Sequence, residues 1–134
     1  MRTAGAVLGL ALAVSLLSPF TEAREAPSAS IEIIASKRAF SPETLTLLRG
    51  EPVALVIRNE DEDLHAFVPL LFLQHTNVQV SGNGAPEFNE TGFVRVLIPP
   101  HGRVELRFTP KTAGTFHYIC DLPGHDMRAQ IVVK

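Results

Sequence analysis

The chain is poor in sulfur. Its 134 residues contain one cysteine, Cys120, and two methionines, one of which is the initiator. A lone cysteine cannot form an internal disulfide, and an exported chain that keeps one either pairs it with another chain or uses it. Charge is scarce too: the formal net value of −2 makes a nucleic-acid partner unexpected. There are no internal repeats, no low-complexity tract and no sign of a second domain. No stretch keeps a helical period between caps at both ends. No nucleophile and base stand out as a pair, so an enzyme is not expected.

Long apolar runs are absent except at the start. Ala6 to Leu17 carries no charge, follows Met1-Arg2, and precedes the small-residue pattern Thr21-Glu22-Ala23. This is the layout of a secretory signal peptide over residues 1–23, cleaved after Ala23. The run is short for a span, which needs roughly 20 apolar residues. The expectation is therefore a periplasmic or secreted protein with no stable membrane span after cleavage. Residues 24–30 read as a polar linker, and residues 31–134 as one domain with a single core.

What the rest of the chain does have is β-pattern. In "RVELRF", residues 103–108, Val104, Leu106 and Phe108 fall on one face and Arg103, Glu105 and Arg107 on the other. Similar runs cover Ser30–Ala35, Thr44–Leu48, Val53–Asn59, His65–Val68, Asn77–Val80, Phe93–Ile98, Gly114–Cys120 and Gln130–Lys134. Gly/Pro turns separate many of them, as at residues 49–52, 81–84 and 99–102. About eight short strands so spaced predict an all-β Greek-key sandwich. Residues 69–92 are the least regular and admit a long loop or a short helical turn. On the run ending in Cys120, Phe116 and Tyr118 share its face, so Cys120 belongs at the inner end of a buried strand, where it meets a loop.

The chemistry gathers there. Four residues separate Cys120 from His125, and Pro123-Gly124 between them can fold the chain back. Met127 follows one residue further on. His65 opens the apolar "HAFV" just after an acidic loop. A thiolate, two imidazoles and a weak thioether suit a copper that cycles between two oxidation states. Each residue also has an ordinary reading: a buried cysteine as a small hydrophobe, His125 as a surface residue, His65 as a strand end, Met127 as packing. Their convergence is what favours a site. Of the remaining histidines, His75, His101 and His117, a second metal site is a minor alternative. The acidic run Glu60 to Asp63 reads first as a solvated turn, and otherwise as a feature that steers a basic partner or attracts copper.

"NEDEDLHAF", residues 59–67, followed by "AGTFHYICDLPGHDM", residues 113–127, resembles the cupredoxin family of small blue type 1 copper proteins. The resemblance spans about Ile31 to Lys134. It implies a sandwich with one copper at one end, equatorial ligands His65, Cys120 and His125, and one-electron transfer without bond chemistry. In many members the axial methionine stands two to four residues past the histidine, whereas here only Asp126 intervenes. Gln130, at the spacing of an axial glutamine in the stellacyanin type, is the alternative to Met127, and an open position is the third. Ala66 also replaces the polar residue that ties the ligand loops together in well-known members. The expected partners are a redox protein such as a cytochrome, or a copper-handling protein, with the chain itself a monomer. Copper delivery by the same fold, or a metal-free sandwich that mediates protein contacts, are the rival functions.

Overall fold

The computed structural model describes residues 4–5, 9, 13–19, 26–27 and 29–134. The expected cleavage point after Ala23 lies outside the described residues, as does much of the segment read as a signal peptide. Among the described residues, no helix is long and apolar enough to cross a membrane.

Among the described residues there are eleven strands: β1 (Ala29–Ser36), β2 (Ala39–Ser41), β3 (Thr44–Leu47), β4 (Val53–Asn59), β5 (His65–Phe67), β6 (Gln79–Gly82), β7 (Ala85–Asn89), β8 (Gly92–Ile98), β9 (Arg103–Phe108), β10 (Gly114–Cys120) and β11 (Met127–Val133). One layer is a five-stranded sheet in the order β2-β1-β4-β9-β6. The other consists of β10-β11-β3 and β5-β8-β7. A bridge between Val68 and Ile119 joins these two pieces, with reciprocal N–H···O bonds of 2.9 and 3.0 Å. Two pairings are parallel, β1 with β4 and β11 with β3, and the rest are antiparallel. This is the expected all-β sandwich.

The strands follow from their side chains. β4, "VALVIRN", is apolar almost throughout because it lies inside the five-stranded sheet, and Leu55 and Ile57 are wholly buried. Burying each of these is worth about 1.5–3 kcal/mol. β9 and β11 alternate, with Val104, Leu106 and Phe108, and Met127, Ala129, Ile131 and Val133, facing the core. β8 changes phase. Phe93 and Val96 are both buried, which is possible because the β7–β8 register shifts beside Glu87 and Phe88. Tyr118 is fully buried between the rings of Phe40 and Phe67, 5.0 and 5.1 Å away, and its hydroxyl donates to the Pro42 carbonyl at 3.3 Å.

Three details depart from the sequence reading. β1 starts at Ala29, inside the stretch read as a linker. Within residues 69–92, β7 is a strand that no expected run covers, while β6 overlaps the expected run Asn77–Val80. β2 adds a further short strand, bringing the total above eight.

Candidate metal centre

β10 and β11 run antiparallel and open at one end into the loop 121–126. Alternation on β10 places Tyr118 and Cys120 inward and His117 outward. Cys120, the last residue of β10, is buried at 4% exposure. Leu122 to His125 closes a tight turn, with the His125 N–H donating to the Leu122 carbonyl at 3.1 Å. Gly124 supplies a φ of 78°, in the left-handed region that favours glycine. The turn brings the His125 ring back over Cys120, with Nδ1 to Sγ at 3.6 Å.

His65 arrives from the far side. It opens β5, is wholly buried, and points Nδ1 at His125 Nδ1, 3.1 Å away. Its neighbour Ala66 donates its main-chain N–H to Cys120 Sγ at 3.3 Å. The ligand atoms of His65, Cys120 and His125 all lie within 4.8 Å of one another. Among the described residues this is the one cluster of three or more such groups. The other histidines stand apart: His117 lies across from Gln130 on the outer face, and exposed His101 bonds Glu62 at 2.7 Å.

Met127 and Gln130 are separated by the strand period. Met127 begins β11, is directly opposite Cys120 in the pairing, and is 3% exposed on the same inner face. Gln130 is out of phase with it and half-buried. Its Nε2 donates to Thr44 Oγ1 at 3.2 Å on the outer side. The pairing therefore puts Met127 beside Cys120 on the inner face and turns Gln130 to the outer one.

Residues outside the motif hold the cluster in place. Asn59, 1% exposed at the end of β4, donates Nδ2 to the carbonyls of Asp63, Ile98 and Pro99 at 2.7, 3.0 and 3.1 Å. Its Oδ1 accepts the Asp61 N–H at 2.9 Å, an Asx turn that starts the loop leading to His65. An asparagine closing a strand ahead of a charged loop was the available signal for this role. Asp61 is not the solvated residue expected of an acidic turn. Oδ2 lies 2.8 Å from His65 Nε2, and the Arg38 N–H, above all, holds this carboxyl at about 2, well below its usual 3.8. The loop after Cys120 is fastened by Arg95 of β8, whose guanidinium donates to both Asp121 oxygens, at 2.9 and 3.0 Å, and also grips Glu87. The Ala66 N–H to Cys120 Sγ bond links the two ligand segments where Ala66 has no polar side chain to do so, and the Arg95–Asp121 pair ties the Cys120 loop to β8. Nothing local in the sequence pairs Arg95 with Asp121; only the fold does.

A β-sandwich with a buried thiol between two imidazoles at one end defines a class: small proteins whose loops hold a soft metal at the rim of a rigid barrel-like frame. The chain belongs to the cupredoxin-like family, whose sequence profile matches residues 7–133. A curated relative, the "copper-resistant cuproprotein CopI" of Rubrivivax gelatinosus, is 29% identical over 107 residues, covering 76% of this chain. The chain spans 64% of that relative's length. Among solved structures, auracyanin A, a "blue" copper protein of Chloroflexus aurantiacus, superposes with a TM-score of 0.57 at 24% identity, over 78% of this chain and 98% of its own. The auracyanin of Roseiflexus castenholzii gives 0.58 at 18% identity, over 81% and 99%. These likenesses speak for the fold.

Proposed function

We propose that the chain is an exported mononuclear copper protein that carries single electrons, with His65, Cys120 and His125 as equatorial ligands. The observation that carries this reading is the convergence of one thiol and two imidazole nitrogens within 4.8 Å, His65 coming from a strand far upstream of the loop that holds Cys120 and His125. The donor set fits the metal: a soft thiolate with two imidazoles selects copper over hard cations. Bound there, copper would exchange one electron between its Cu(II) and Cu(I) states.

The chain's own residues define what that exchange needs. The Ala66 N–H hydrogen-bonds to the Cys120 sulfur and limits how much charge it gives up. β5, β8, β10 and β11 fix the ligand positions before metal arrives, so little has to rearrange. Met127 is our axial candidate, supported by its burial and its place opposite Cys120. His125 is the half-buried ligand, beside Leu122 and exposed Pro123, and so the natural exit toward a redox partner such as a cytochrome.

The test is the optical and electron-paramagnetic-resonance spectrum after Cu(II) is added. An intense thiolate-to-copper band is expected, lost in Cys120→Ser. A colourless loaded protein overturns the proposal. A second reading, copper sequestration or delivery, is favoured by the CopI relative, described as copper-resistant. That role calls for tight Cu(I) binding and transfer to an acceptor, with slow electron exchange with a cytochrome.

A further inference from the structure

Asp61 and the β1–β2 hairpin form one construction. The hairpin turns on two residues, Lys37 and Arg38, both with positive φ, 52° and 54°. Such type I′ turns suit the strand twist and are usually built from Asn and Gly. For a lysine and an arginine the left-handed region costs roughly 1–2 kcal/mol each. Conformations of this kind persist where the surroundings over-determine them. Here the surroundings are Asp61. Oδ1 accepts the Lys37 N–H at 2.7 Å, and Oδ2 accepts the Arg38 N–H at 2.9 Å. Arg38 then reaches over to Asp63, with Nε and Nη2 at 3.1 and 2.8 Å from Oδ2, fastening the same loop at a second point.

With both oxygens engaged by main-chain donors, the carboxylate cannot turn away. Oδ2 is left facing His65 Nε2 at 2.8 Å. An anionic acceptor at this distance keeps the proton on Nε2, so the Nδ1 lone pair is free and aimed at the thiol and at His125. We propose that Asp61 is a positioning residue of the copper site, fixing the tautomer and ring plane of His65, and that the Lys37–Arg38 turn is the fixture that holds its carboxylate. The redox consequence rests on the copper reading above; the tautomer does not. A histidine that donates to a carboxylate is a stronger ligand, and such outer partners commonly change metal affinity 10–100-fold. The extra negative charge favours Cu(II) over Cu(I).

The test uses the full domain, first without metal. Long-range nitrogen–proton correlation spectra of the copper-free protein report which nitrogen of His65 carries the proton, and Nε2–H is expected. In Asp61→Asn the charged acceptor is lost: an amide oxygen at the Oδ2 position accepts more weakly, an amide nitrogen there offers His65 only N–H, and either way the Nδ1–H form should grow. In the copper-loaded variant the preference for Cu(II) should fall about tenfold, which raises the midpoint potential by about 59 mV. Lys37→Gly keeps the N–H donor and the Arg38–Asp63 pair and relieves the strain at that position, so tautomer and potential should both stay as in the parent. A parent protein with His65 in the Nδ1–H form overturns the proposal even if Asp61→Asn fails to fold. So does an Asp61→Asn midpoint equal to the parent's. If the parent never develops a thiolate-to-copper band, the copper reading fails, and the copper-free spectrum still decides the role of Asp61.

Discussion

Asn59 offers the sharpest test of how the site is held. Its Nδ2 has two hydrogens and three carbonyl oxygens within 3.1 Å, so at least one hydrogen is shared. Its Oδ1 takes the Asp61 N–H. At 1% exposure, water cannot replace these partners. Asn59→Ala removes the set and strands carbonyls. At about 0.5–1.5 kcal/mol net per bond, plus the cost of groups left unpaired, the expected loss is about 3 kcal/mol. In a domain of this size that lowers Tm by roughly 12 °C. Asn59→Asp is nearly isosteric and should be worse at neutral pH, because it points a charged oxygen at three carbonyls. Protonating that carboxyl restores a single donor, so the variant should recover part of its stability as pH falls, opposite to a typical acid-sensitive protein. The assay is urea unfolding of the copper-free protein at several pH values, with the copper spectrum as a second readout. A loss below 1 kcal/mol for Asn59→Ala, with unaltered copper binding, would refute the view that this side chain builds the ligand loop.

Other expectations are simpler to check. Met127→Ala should shift the copper spectrum and raise or broaden the redox midpoint, while Gln130→Ala should leave both unchanged; a spectral shift in Gln130→Ala alone would reverse the axial assignment. Gly84→Ala should cost about 1–3 kcal/mol in urea unfolding, since an added Cβ would press on Val104, on Val96 at 2.7 Å and on the Leu97 carbonyl at 2.9 Å. Arg107 holds the Glu105 carboxyl below its ordinary 4.5, so folding is favoured by this group above that range and loses the contribution as pH falls below it. Glu105→Gln should therefore flatten the acid side of the stability profile, and an unchanged slope would count against the ion pair.

The parts of the fold that were readable from the sequence are those with a period. β9 and β11 alternate cleanly, and β4 opens with an unbroken apolar run from Val53 to Ile57. β7, "APEFN", is exposed along its whole length and contains a proline, so it shows no alternation to read. β2 has only three residues, too few for a pattern. The candidate site divides in the same way. Cys120 and His125 share one loop, and His65 stood out upstream as the histidine that opens an apolar run after an acidic loop. The choice between Met127 and Gln130 waited on strand phase, which depends on where β11 starts. Asp61 and Arg95 act through partners twenty or more residues away, Lys37 and Arg38 for the first and Asp121 for the second. No local window contains such pairs.

The burial of Cys120 has a consequence for the empty protein. A thiol 4% exposed, at the floor of a strand and under a histidine, cannot meet the thiol of another molecule. Disulfide exchange requires direct attack of one sulfur on another, so two copies cannot become cross-linked through their single cysteines without unfolding. A small ion needs no such approach, and His125 is the one half-buried member of the three. The fold thus works as a filter by size. Burial therefore keeps the single sulfur out of thiol–disulfide exchange between folded copies.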